Sequence, residues 1–344
     1  MGLFSALTGL AVLSGPVIGG LLVDVLGWRW VFWINLPLCA GTALLAMLRL
    51  GRDDRIAIRI DWPGVALLAA AMTAVVWGLS EGNASGWSGA TVLLALSGGA
   101  AATLGFLAWQ RLCTFPLVPG RLLTSARFRA GNIACLLMFM SMMGTLIFMA
   151  QYFSMVQQAS ALGAGERMLP WTLSLFAVAP LGGTAAGRFG EKLPAVTGLL
   201  LQSAALLWMS VLCGSVYGYV AWIAPLVLAG AGIALAMPAV QSAVLSSVAP
   251  PDMGKASGVY NTMRQLGWAC GAAVAGAVFA SAGSLTSAKA MAAGYAAVLL
   301  STAALSAVAA LVSLRLSKAG ALTSVGMAAS GSPANDLGKA AETA

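Results

Sequence analysis

The chain has 344 residues, 60% of them apolar and 8% charged, and its mean hydropathy is +0.91. A soluble domain carries about 25% charged residues, so this composition excludes a water-covered globule and makes lipid the solvent. A net charge of +8 with no histidine excludes imidazole bases, histidine metal ligands and histidine pH switches.

Apolar blocks of about 17–25 residues, the length needed to cross a bilayer, recur along the chain. They predict about ten spans, at 3–26, 30–48, 63–80, 90–109, 132–153, 168–187, 195–213, 219–245, 257–282 and 291–314. With Met1 on side one and every block crossing, fifteen of the eighteen Lys and Arg fall on side one, and only Arg29, Arg167 and Lys289 fall opposite. The positive-inside rule makes side one cytoplasmic and leaves both chain ends inside. The charge is thereby explained by membrane topology, without nucleic acid. The expected location is the inner (cell) membrane.

The first span contains Gly15-Pro16-Val17-Ile18-Gly19-Gly20, preceded by Gly2. Glycines four apart let a neighbouring helix approach at backbone distance, and Pro16 bends the segment; a generic packing face is the plainer reading. Asp24 lies near the outer end of that span. The stretch Trp28-Arg29-Trp30 through Asn35 and Pro37 is an aromatic belt, with Arg29 reaching headgroups. Asp61 reads as a helix cap ahead of Pro63 and Gly64. Met138, Met142, Gln151, Trp171, Gln202 and Gln241 are candidates to line a greasy cavity, although Met and Trp on an apolar span more often pack. Glu81 and Glu166 sit at outer interfaces. Asp24 and Glu166 are weak candidates for proton-linked groups, with solvated helix ends as the alternative. Arg264, inside the ninth span, is read equally as functional or as snorkelling. Cys39, Cys113, Cys135, Cys213 and Cys270 lack C-x-x-C spacing, so neither a disulfide framework nor a metal site is expected.

Several of these strings carry a resemblance. Gly2, Gly15, Pro16, Gly19 and Gly20 match the antiporter motif of the major facilitator superfamily, with Ala11 replacing its second glycine. The string WRWVFWINLP, with Trp28, Arg29, Trp30, Asn35 and Pro37, resembles the fifth-to-sixth span junction of the fourteen-span drug:proton antiporters. Asp61 and Gly64 resemble the start of that family's seventh span, and Asn261, Arg264, Gln265 and Gly267 the start of its thirteenth. Gln151-Tyr152 and Gly163–Pro170 are similar to its ninth-span exit and tenth-span start, though Glu166 replaces an apolar residue. Gly183, Arg188 and Gly190 resemble a degenerate loop motif G-x-x-x-D-R-x-G-R-R, in which Gly187 stands where Asp would be.

The resemblance runs from Gly2 to Leu314 and implies an all-α membrane protein of the major facilitator fold. Residues 1–50 would be a two-span remnant of an N-terminal half, and 51–125 an extra helix pair with a cytoplasmic loop. Residues 126–318 would form the six-helix C-terminal half, and 319–344 a disordered cytoplasmic tail. The ten spans align with five to fourteen of that family, so the chain is expected to be truncated at its N-terminus. The implied function is proton-coupled efflux of hydrophobic or cationic small molecules by alternating access, with no cofactor. The implied partners are the lipid bilayer, the solute and protons. Oligomeric state is left open. The alternatives are an exporter of another solute (a siderophore, sugar or amino acid) or a non-transporting membrane fragment. An enzyme is disfavoured, since no G-x4-G-K-[ST] string and no paired intramembrane carboxylate occurs.

Overall fold

The structure is a computed structural model that describes residues 27, 29–49, 61–213 and 218–316. The first expected span, with Gly2, Gly15, Pro16, Gly19, Gly20 and Asp24, lies outside those residues, as do Trp28 and the tail from 317. Among the described residues all regular structure is helical. The principal helices are α1 Asn35–Arg49, α2 Trp62–Ser85, α3 Ala90–Leu112, α4 Ala126–Met155, α5 Leu169–Phe189, α6 Lys192–Cys213, α7 Val220–Leu245, α8 Met253–Ala282 and α9 Ala288–Ser313. Eight segments, covering α2 to α9, are long and apolar enough to cross a membrane. α1 is shorter and mostly exposed, and a single turn at Trp30–Trp33 precedes it where one continuous span from 30 to 48 was expected.

Caps set the boundaries. Ser125 accepts a hydrogen bond from the Phe128 amide, so α4 begins ahead of the apolar block expected from 132. Ser287 does the same for α9 through the Ala290 amide. α2 and α3 form a hairpin, and α2 leans on α8.

The other six helices pack with a regular pattern. α4 packs on α8 and α9, α7 packs on α5 and α6, and α6 packs on α9. Exchanging α4–α6 for α7–α9 leaves this set of pairs unchanged. Successive spans alternate in direction, so helices three apart run oppositely and the repeat is inverted. The pairs also define two layers. A front row runs α8, α4, α7, α5, and α9 and α6 stand behind it.

Backbone contact seals the layers together. A Cβ on Gly232 of α7 would stand 2.5 Å from the Gly198 carbonyl oxygen of α6 and 2.7 Å from the Gln202 amide nitrogen, so neither helix has room for a side chain there. Behind the row, small hydroxyls tie the helices. The Ser141 hydroxyl donates to the Thr302 carbonyl at 2.8 Å and lies 3.2 Å from the Ser306 hydroxyl. Thr145 donates to the Thr302 hydroxyl at 3.2 Å, and Ser203 to the Ala303 carbonyl at 2.9 Å. These bonds spare buried polar groups the cost of standing unpaired in hydrocarbon.

The exposed faces of the layers differ. Beyond the lysines of their first turns, Lys192 and Lys289, the large side chains that α6 and α9 expose are apolar and include Leu200, Leu207, Leu300 and Leu311. On the front row, Gln241, Asn261 and Gln265 are exposed within spans.

Candidate functional site

The front row and its rims hold most of the in-span polar chemistry. At one rim, Arg127 at the start of α4 donates to Glu191 at 2.8 Å and to the Ser246 hydroxyl at 2.9 Å. Glu191 ends the α5–α6 connection and also accepts from Ser242 at 3.3 Å and Ser246 at 3.1 Å. One carboxylate thus gathers α4, α6 and the end of α7. Both charged side chains are nearly buried, at 11% and 12% exposure. Beside them, the Asp252 carboxylate accepts from Arg121 at 2.8 Å and raises its pKa, and Lys255 donates to the Pro116 carbonyl at 2.9 Å.

Two open grooves adjoin that node. The larger, about 760 Å³, is lined by Gly183, Arg188, Gly190, Glu191, Pro238 and Ser242 among others. The smaller, about 420 Å³, is lined by Pro238, Gln241, Ser242, Leu245, Ser246 and Met253. Gly190 turns the chain out of α5 at φ +78°, a conformation glycine adopts without steric cost.

The opposite rim is aromatic. Tyr152 of α4 lies 4.8 Å from Trp222 of α7 and 5.2 Å from Tyr295 of α9, and Phe153 lies 5.5 Å from Trp222. All four rings are buried.

The cavity candidates separate. Gln241 lines the smaller groove, Gln151 is exposed on the last turns of α4, and Met142 is partly buried. Met138, Trp171 and Gln202 are buried in the bundle. Trp171 lies under Gly230 of α7. Gln202 reaches from α6 to within 3.5 Å of the Ser141 hydroxyl, while its Oε1 has no hydrogen-bond partner. Glu166 is exposed on the short helix Ala161–Arg167 between α4 and α5. Among the described residues no group of Asp, Glu and Cys side chains is gathered to hold a metal ion.

The match to known proteins agrees with this architecture. Residues 1–272 and 131–337 match the Major Facilitator Superfamily. The chain belongs to that superfamily. It is 35% identical over 285 residues to a tetracenomycin C resistance and export protein of Streptomyces glaucescens, covering 82% of this chain and 52% of that one. It is 27% identical over 281 residues to a multidrug resistance protein of Mycobacterium tuberculosis, covering 81% and 52%. A probable actinorhodin transporter of Streptomyces coelicolor is 29% identical over 290 residues, covering 81% and 50%. The chain spans about half the length of the curated relatives it matches.

Within this superfamily fold, several sequence motifs acquire a physical reason. Asp61 caps α2 through the Gly64 amide at 2.9 Å and accepts from Trp109 Nε1 and Gln110 Nε2 of α3, each at 2.8 Å. Burial penalises its charge, but these hydrogen bonds outweigh that and hold its pKa below the ordinary aspartate value. A Cβ on Gly64 would collide with the Asp61 carboxylate and Gln110, so the D-x-x-G spacing follows from the cap folding back over the first turn. A Cβ on Gly267 would stand 2.7 Å from the Leu136 carbonyl oxygen of α4, so the two helices meet closely there, while Asn261 and Gln265 are exposed and Arg264 is half-buried. Gly183 and Arg188 are exposed at the larger groove. Arg29, Trp30, Asn35 and Pro37 are exposed at or near the start of α1. The Arg127–Glu191 node was not foreseen from sequence: its partners are 64 positions apart, and each charge alone reads as a solvated helix end.

Proposed function

We propose that the chain supplies spans five to fourteen of a fourteen-span antiporter that expels hydrophobic small molecules in exchange for protons by alternating access. In this reading residues 126–318 are the six-helix C-terminal half, 51–125 the extra pair, and 1–50 part of the opposing half. The larger groove opens to the cytoplasm, where both chain ends lie. The observation that carries the reading is the asymmetry of the bundle: a front row with exposed amides and two grooves, backed by an apolar layer suited to lipid. A solute path between two halves requires one wetted wall and one greasy wall. Relatives named for resistance and export support an efflux direction.

The experiment uses inside-out vesicles and a hydrophobic fluorescent dye. Dye should accumulate when a pH gradient is imposed across vesicles holding the chain together with an N-terminal partner half, and collapse with nigericin. Accumulation that ignores the gradient, or that follows sodium or ATP, would overturn the coupling.

A further inference from the structure

We infer that the front row selects solutes carrying a negative charge or an acidic hydroxyl, and that Arg264 is the side chain that pairs with it. The inference rests on the transporter reading and narrows its solute class away from lipophilic cations.

The charge inventory is one-sided. The described acidic residues are Asp61, Glu81, Glu166, Glu191 and Asp252. Asp61 and Glu81 bound the α2 span, outside the six-helix bundle. Glu166 stands on the connection between α4 and α5, Glu191 is held by Arg127, and Asp252 by Arg121. A cation entering the front row therefore meets no carboxylate inside the spans of α4 to α9 among the described residues.

Arg264 is the reverse case. It lies about 16 Å along α8 from Met253, with about 27 Å of helix still to run to Ala282. One turn before it, the Tyr260 carbonyl accepts from Cys135 Sγ of α4 at 3.8 Å, and one turn after it Gly267 meets Leu136. Those residues mark the face turned to α4, whereas Asn261 and Gln265 are exposed. At 100° per residue Arg264 falls between the two stripes, on the edge of the seam that borders the open face. Neither ion pair among the described residues includes it. A cation at that depth without a counter-charge is costly, and a bound anion offsets the cost. Exposed amides at Asn261 and Gln265 supply neutral donors beside it, which suits a phenolate, enolate or carboxylate on a flat hydrophobic body.

The test titrates the 344-residue chain with fluorescein, an anion, and ethidium, a cation, by fluorescence polarisation in lipid nanodiscs and in maltoside micelles. Fluorescein should bind in both media and more tightly than ethidium. Arg264→Gln should weaken it about tenfold or more, and Arg264→Lys by less than about threefold. Arg264→Glu should reverse the preference. Arg264→Met, which keeps the aliphatic stem, replaces the glutamine variant if that one elutes as aggregate. Ethidium bound as tightly as fluorescein, or fluorescein indifferent to Arg264→Gln, overturns the inference and leaves the transporter reading intact. Competition by phosphatidylglycerol in micelles, lost with Arg264→Gln, would assign Arg264 to a lipid headgroup and also overturn it. A chain that binds neither dye in either medium also overturns the inference, while the transporter reading stands or falls on dye accumulation in the vesicles that hold both halves.

Discussion

The two layers of the six-helix bundle are made of the same kind of segment and both expose apolar side chains, yet they differ in where they place their amides. α6 and α9 turn leucines outward and keep Gln202 and most of their hydroxyls, among them Ser203, Thr302 and Ser306, inside. The front row does the reverse at Gln241, Asn261 and Gln265, which are exposed although they stand in spans. The difference teaches that overall hydropathy identifies a span but not its neighbour. The neighbour is read from where each helix places its few polar atoms. An exposed amide in hydrocarbon is unpaired, whereas one on a wetted wall is not.

The largest expected effect breaks the joint between the layers. Gly232→Leu forces a side chain into the Gly198 backbone of α6 and should cost about 3 kcal/mol or more, seen as a large fall in thermal midpoint or as aggregation in detergent. An unchanged midpoint would mean the layers do not meet at backbone distance. Next comes the rim of the front row. Glu191→Gln leaves Arg127 without its counter-charge in a nearly buried site, and a loss of about 2 kcal/mol is expected, below the cost of breaking a fully buried pair. If added salt erases the difference from the parent chain, the pair is a solvent-screened contact and contributes little.

A smaller effect tests the hairpin that leans on the front row. Asp61→Asn replaces a charged acceptor of three hydrogen bonds and should cost about 1–2 kcal/mol. The sign with pH follows from the lowered pKa. The carboxylate's contribution is full above the unfolded value near 3.8 and is lost as pH falls through the lower folded value. Thermal midpoints of parent and variant should therefore converge in strong acid, and parallel curves down to pH 2 would contradict the cap. The gentlest test leaves stability alone. Single cysteines at Gln241 and Gln265 should react with a water-soluble maleimide in nanodiscs, while those at Leu207 and Leu311 should not, because the reactive thiolate forms in water. Equal labelling would erase the distinction between the layers.

Much of the fold was legible in the sequence, because bilayer-length apolar blocks leave little choice of secondary structure. The errors lie at helix boundaries, and two starts show why. α4 begins at Ala126 instead of 132 because Ser125 caps a charged turn that hydropathy counts as loop. The expected span from 30 to 48 is broken at Ile34, where the turn Trp30–Trp33 ends before α1. Side-chain direction was less legible. Gln202 and Gln241 look alike in sequence, yet one faces Ser141 inside the bundle and the other an open groove. With so few polar residues per helix, periodicity does not define a face. The Arg127–Glu191 node was invisible for a different reason, since long-range pairing leaves no local pattern.

The Gly198–Gly232 crossing has a mechanical consequence. Two main chains pressed together with no side chains between them have no lubricating layer, so α6 and α7 are poorly suited to slide past one another. Shear along that seam would drive carbonyls into amides. Any rearrangement that exposes first one end of the front row and then the other must tilt these two helices as a single stiff lever, and its pivot must lie elsewhere.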